Sequence, residues 1–221
     1  MIPIFDLDDT LFPERHFVES GFRAVAVDLQ QLFGWPVEVS IEHMLSTLDD
    51  EGRGAVFNRL LDARGVLNAK YIRHCVNSYR HHRPEIELAP GARQLLNSLS
   101  VRPYLVTDGH KIVQNNKVKA LGIESIFNHI YITHRYGICH AKPSIYCFEL
   151  IRKRERCEWS DMFYVADNPA KDFVNLNPLG VHTIRVATGE HAAVVAKEGF
   201  DAKYKINSLD ELQIVLKEIS R

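Results

Sequence analysis

The chain opens Met1-Ile2-Pro3-Ile4-Phe5-Asp6-Leu7-Asp8-Asp9-Thr10-Leu11, and this stretch decides the fold class. Ile2, Ile4 and Phe5 read as a buried strand that ends abruptly in carboxylates. Asp6 and Asp8 follow the strand's C-terminal end, the edge at which open α/β sheets bind ligands. Carboxylates this close repel unless a shared proton or a cation relieves them, and a hard, oxygen-loving ion such as Mg²⁺ suits them. A solvated acidic turn has the same composition, so the rest of the chain has to decide.

Working outward, Tyr104-Leu105-Val106, Ile130-Tyr131-Ile132, Phe163-Tyr164-Val165 and His182-Thr183-Ile184 read as further buried parallel strands. Helical patterns lie between them. Lys111 to Leu121 places Ile112, Val113, Val118 and Leu121 near one face, and Ser144 to Ile151 places Ile145, Phe148 and Ile151 similarly. This alternation predicts an α/β fold, a Rossmann-like, doubly wound parallel sheet with helices on both faces. From Phe17 to Arg83 there is no strand pattern but several amphipathic stretches, the clearest carrying Phe22, Val25, Ala26, Leu29, Leu32 and Phe33. That segment is expected to be a smaller all-helical domain inserted after the first strand. Pro13 near its entry and Pro84 and Pro90-Gly91 near its exit break regular structure. Residues 1–14 and 86–221 are therefore expected to form the core and residues 15–85 the helical domain, with two short connections as hinges.

Three more segments carry chemistry at strand ends. Thr107 closes Leu105-Val106-Thr107-Asp108-Gly109, where a hydroxyl and backbone N–H groups can hold phosphate oxygens, or where Thr can serve only as a helix N-cap. Lys142, before Pro143, can act as a point charge against phosphate or a carboxylate, though an isolated lysine is usually a surface group. Asp167 and Asp172 lie in Val165-Ala166-Asp167-Asn168-Pro169-Ala170-Lys171-Asp172. They would complete a metal site and anchor a neighbour, or Asp167 would cap a helix that Pro169 starts.

In this order, and each at the end of a strand pattern, Asp6-x-Asp8-x-Thr10, Thr107, Lys142 and Asp167-xxxx-Asp172 resemble the four motifs of the haloacid dehalogenase superfamily. The resemblance covers nearly the whole chain. Ala89-Pro90-Gly91-Ala92, Gly122-Ile123 and His140-Ala141-Lys142-Pro143 are similar to patterns that surround those motifs, and the helical insertion is similar to a type 1 cap. The resemblance implies a Mg²⁺-dependent phosphatase in which Asp6 attacks phosphorus and forms an acyl phosphate. Asp8 would serve first as acid and then as base. Mg²⁺ would be held by Asp6, the backbone carbonyl of Asp8 and Asp167. Thr107, the Asp108 N–H and Lys142 would hold the transferring phosphoryl group. Asp172 would orient Lys142 or a water at the metal, and Thr10 would fix the loop.

In type 1 caps, specificity groups come from the cap and the loop after the first motif, which here offers Glu14, Arg15 and His16; the run Tyr79-Arg80-His81-His82-Arg83 is also basic. Such basic groups would pair with a second anionic group on a sugar phosphate, nucleotide or phospho-acid, or form a solvated face. One position departs from the family: Ala166 stands where Gly usually precedes the fourth-motif aspartate, a change that costs free energy only if the backbone there needs positive φ. A 2-haloacid dehalogenase of this fold lacks the second aspartate, so Asp8 favours phosphoryl transfer. A phosphomutase uses the same motifs, but no mutase pattern stands out in the insertion. A non-catalytic binding module is disfavoured because every expected catalytic residue is present.

Composition narrows the partners. A formal net charge of -1 gives no broad basic field, so nucleic acid is not an expected partner. The chain shows no signal pattern, and its apolar runs fall far short of the ~20 residues a membrane span needs. Its 4 cysteines form no CxxC pair, which favours reduced thiols and a cytoplasmic location. The expected partner is a small phosphorylated substrate, and the expected state a monomer or homodimer.

Overall fold

The computed structural model describes residues 1–219. In chain order these form β1 (Ile2–Phe5), α1 (Glu14–Phe33), α2 (Val37–Glu51), α3 (Val56–Ala63), α4 (Ala69–His81), α5 (Ala92–Ser98), β2 (Tyr104–Thr107), α6 (Lys111–Leu121), β3 (His129–Ile132), α7 (Tyr146–Glu155), β4 (Met162–Ala166), β5 (His182–Val186), β6 (Tyr204–Ile206) and α8 (Leu212–Ile219). They make two compact units, one of Met1–Glu14 with the chain from Glu87 onward, the other of Arg15–Ile86.

The first unit is built on a 6-stranded parallel sheet of order β3-β2-β1-β4-β5-β6. Each expected strand run falls within a strand. β2 and β4 are buried at every position, which is why they read as unbroken apolar runs: helices cover both faces of such a sheet. On one face Ile4, Tyr104, Val106 and Tyr164 pack with Cys147, Phe148 and Ile151 of α7. The edge strand β6 buries only Ile206, so no apolar run announces it. The chain lays β2 and β3 on one side of β1 and β4 to β6 on the other. The direction therefore switches between β1 and β4, where a crevice opens at the C-terminal strand ends.

Two helical expectations need correction. The face that α6 buries is Gln114, Lys117, Val118 and Leu121, spaced i, i+3, i+4, i+7, while Ile112 and Val113 are only half-buried. No helix starts at Pro169. The chain makes a single isolated turn, the Asn168 carbonyl accepting from the Asp172 N–H at 3.0 Å, while Asn168 Oδ1 accepts from the Ala170 N–H at 2.9 Å and the Asp172 carboxylate from the Asn168 N–H at 3.1 Å, and no helix follows. α7 begins at Tyr146, two residues after Ser144.

The second unit contains α1 from Arg15 on, together with α2, α3 and α4, and no strand. Its core joins Phe22, Val25, Ala26 and Leu29 of α1 to Ile41 and Met44 of α2, Leu60 and Leu61 of α3 and Cys75 of α4. Leu32, expected on this stripe, lies in the last turn of α1 and is 51 % exposed. Asn68 caps α4 by accepting from the N–H groups of Lys70 and Tyr71. Within the first unit the two connections to this insertion run side by side, the Ala89 N–H donating to the Leu11 carbonyl at 2.8 Å.

Candidate active site

Phe5 is in register with Val165, and the Asp6 N–H donates to the Val165 carbonyl at 2.9 Å. Asp6 and Asp167 thus leave the sheet together at the switch between β1 and β4. The carboxylate oxygens of Asp6, Asp167 and Asp172 come within 4.8 Å of one another, and all three residues are buried. Lys142 reaches this group from the loop before α7. Its ammonium lies 2.9 Å from Asp6 Oδ1 and 2.7 Å from Asp172 Oδ1, and it donates to the Tyr164 hydroxyl at 3.0 Å. The Asp6–Lys142 pair is close but not aligned as a hydrogen bond, so Asp6 Oδ1 has no hydrogen-bond donor among the described residues. Asp172 is fully engaged: Oδ1 also accepts from the Tyr164 hydroxyl at 3.1 Å, and Oδ2 from the Asn168 N–H.

The electrostatics follow from this crowding. Burial pushes the Asp6 carboxyl up to about 7, with Lys142 pulling against it and Asp172 adding to it. Burial, then repulsion from Asp6 and Asp172, raises Asp167 to about 9. Burial works against the Lys142 charge, yet Asp172 and Asp6 more than offset it and its pKa stands well above the ordinary value. A buried group of hard oxygen donors, two of them held far from their ordinary ionisation, with one lone-pair direction unmet, is a site that a divalent cation fits.

Thr107 ends β2 and is fully buried; its oxygen accepts from Gln114 Nε2 at 2.6 Å. α6 starts only at Lys111, with His110 at the N-cap, so Thr107 is not the cap. Asp108 accepts from the Thr133 hydroxyl at 2.6 Å and from the Lys142 N–H at 3.1 Å, tying the second and third motif loops together. Ala166 does not have positive φ, and its methyl group packs in the core, so the missing Gly costs nothing here.

Asp8 is anchored by residues that the sequence reading did not single out. Lys117 Nζ pairs with Asp8 Oδ1 at 2.7 Å and with Glu14 at 3.0 Å, and Gln114 Nε2 donates to Asp8 Oδ2 at 2.8 Å. The loop-fixing role expected of Thr10 falls to its neighbour: the buried Thr10 hydroxyl has no hydrogen-bond partner among the described residues. Asp9, at φ 51°, accepts from the N–H groups of Glu14 at 2.8 Å and Glu190 at 3.2 Å, and its carbonyl accepts from the Thr188 hydroxyl. This brings Thr188 to His191 to the rim. The resulting cavity, about 250 Å³, is lined by Asp6, Asp8, Asp108, Asp167, Lys171 and His191, among others. Arg15 and His16 belong to the helical unit. There Arg15 pairs with Asp49 at 2.7 Å and Glu19 at 3.2 Å, and His16 is exposed.

The chain is similar to known proteins along nearly its whole length. The chain is 27 % identical to the glyceraldehyde 3-phosphate phosphatase of Methanocaldococcus jannaschii, over 99 % of this chain and 97 % of that protein. It is 26 % identical to the enzyme of that name from Pyrococcus furiosus, over 96 % and 91 %. Among solved structures, the magnesium-bound HAD-hydrolase YfnB of Bacillus subtilis superposes with a TM-score of 0.68 at 17 % identity, covering 97 % of both chains. The 2-haloacid dehalogenase of Pseudomonas syringae pv. Tomato DC3000 gives 0.66 at 21 % identity, covering 99 % of both. Residues 3–186, most of the chain, match the family of haloacid dehalogenase-like hydrolases, and the protein belongs to that family.

Proposed function

We propose that this chain is a phosphatase that hydrolyses a small phosphorylated metabolite through an aspartyl-phosphate on Asp6. The observation that carries the reading is the pairing of two aspartates with different surroundings at one cavity. Asp6 stands against Lys142 and Asp167, and Asp8 is held separately by Lys117 and Gln114. In the first half-reaction a carboxylate oxygen of Asp6 attacks phosphorus while Asp8 gives its proton to the leaving oxygen; in the second, Asp8 takes a proton from water. The Thr107 hydroxyl and the Asp108 N–H hold phosphoryl oxygens, and Lys142 neutralises their charge.

Mg²⁺ fits the donor set, with Asp6, Asp167 and the Asp8 carbonyl as its holders; when bound it would offset carboxylate charge and let an anionic substrate approach. Asp172, with both oxygens engaged, is assigned to orienting Lys142. His16, and Arg15 with its partners Asp49 and Glu19, are the candidates for recognising the rest of the substrate. The names of the relatives make glyceraldehyde 3-phosphate the first substrate to try. The four free thiols support a reducing compartment such as the cytoplasm, and no described helix is long and apolar enough to cross a membrane.

The test is phosphate release from glyceraldehyde 3-phosphate and a panel of sugar phosphates, nucleotides and phospho-acids, with Mg²⁺ or with a chelator. Release that requires Mg²⁺ is expected. Halide release from a 2-halo acid with no phosphate release from the panel would overturn the reading.

A further inference from the structure

α6 contributes no residue to the four motifs, yet it buries a lysine and a glutamine that both end on Asp8. Lys117 and Gln114 are each 1 % exposed, and they sit three residues apart on the face that α6 turns inward. Burying an ammonium and an amide is costly unless each is fully matched. The matches here are specific. Lys117 Nζ stands between Asp8 Oδ1 and Glu14 Oε1, with Phe12 beneath it 5.7 Å from the ring centre. The two protons of Gln114 Nε2 go to Asp8 Oδ2 and to Thr107 Oγ1. The opposite orientation of the amide would set its oxygen against a carboxylate, so the direction of these bonds is fixed. A hydroxyl oxygen that accepts from Gln114 keeps its own hydrogen for another acceptor.

We infer that Gln114 and Lys117 are positioning residues that act through Asp8 and Thr107. They fix the position of both oxygens of the Asp8 carboxylate at the cavity, and Gln114 also turns the Thr107 hydrogen toward the phosphoryl group. This rests on the phosphatase reading. In the step concerned, water oxygen bonds to phosphorus, the bond from phosphorus to the Asp6 oxygen breaks and restores the Asp6 carboxylate, and the water proton passes to Asp8. That proton then goes to the leaving oxygen of the next substrate. Losing the clamp therefore slows removal of the phosphoryl group from Asp6 more than its arrival, provided the leaving group needs no proton.

The experiment is quenched-flow kinetics of the full-length protein with Mg²⁺ and 2,4-dinitrophenyl phosphate, whose leaving group departs as the anion. For Lys117→Met, a burst near one dinitrophenolate per active site is expected, at a rate within about fivefold of wild type, followed by turnover slowed about a hundredfold. Phosphate should be trapped on Asp6 by acid quench and found by mass spectrometry. Lys117→Arg should recover part of the turnover. Gln114→Leu should slow turnover by a clearly larger factor than the burst, which slows only as far as Thr107 loses its fixed polarity; it provides a second reading should Lys117→Met not fold. Burst and turnover falling together, or neither changing, would overturn the inference while wild-type activity keeps the phosphatase reading. Failure of wild type to release phosphate would overturn both.

Discussion

Gly189 lies so close to Asp9 that a methyl group on its Cα would sit 2.1 Å from Asp9 Cγ. Gly189 also has φ +63°, so the loop carrying Glu190 and His191 reaches the first-motif loop only because that position has no side chain. Gly189→Ala is expected to lower unfolding stability by about 2–4 kcal/mol, combining left-handed strain and overpacking, and to lower turnover because Asp9 must shift and Asp8 precedes it. Gly180→Ala is the comparison. Gly180 has φ +96° but nothing within 4 Å of the added carbon, so only strain, about 1–2 kcal/mol, and unchanged turnover are expected. Denaturant melts with steady-state kinetics on both variants decide it.

Asp6→Asn keeps the shape of the side chain and removes the nucleophile. Phosphate release is expected to fall at least about a thousandfold. The fold should survive in chelator, because burial already disfavours the charge on Asp6. Retention of more than about a hundredth of wild-type turnover would count against covalent catalysis at this residue.

Asp6 and Asp167, raised to about 7 and about 9, bind protons more tightly in the folded chain than in the unfolded one. Raising the pH from the ordinary carboxylate range toward these values therefore withdraws stability from the metal-free protein. Mg²⁺ binds the ionised carboxylates, so the difference in melting temperature between Mg²⁺ and chelator should widen from about pH 5 to about pH 8. A difference that stays constant over that range would remove these two residues from the metal site.

Asp172→Asn would turn either an amide or a weaker acceptor toward the Lys142 ammonium, 2.7 Å away. A loss of about 10- to 100-fold in kcat is expected, persisting at saturating Mg²⁺. Recovery in excess Mg²⁺ would instead make Asp172 a direct ligand of the ion.

The reach of the sequence is clearest at the strand ends. Asp6, Thr107 and Asp167 each follow an apolar run, and a sheet with helices on both faces makes such runs conspicuous. Lys117 and Gln114 escaped because a polar residue in an amphipathic pattern is assigned to solvent. Their partner Asp8 lies more than a hundred residues away, and only the closed sheet brings α6 onto it. Tyr164 was hidden differently. Within Phe163-Tyr164-Val165 it reads as one more apolar strand residue, and its hydroxyl acquires meaning only where Lys142 and Asp172 meet it. The fixing of the first loop by Asp9 is hard to read because, beyond the nearby Glu14 N–H, its donors Thr188 and Glu190 and its steric neighbour Gly189 lie at the far end of the chain.

The hydrogen bond between Ala89 and Leu11 has a consequence for how such a chain can change. Because the insertion departs from and returns to adjacent points of backbone, the order and pairing of the six strands are indifferent to what lies between them. A long loop closes at little more entropic cost than a short one. The segment from Arg15 to Ile86 is thus a replaceable cassette: it can lengthen, shrink or be exchanged for another folded unit while Asp6, Thr107, Lys142 and Asp167 keep their places on the sheet.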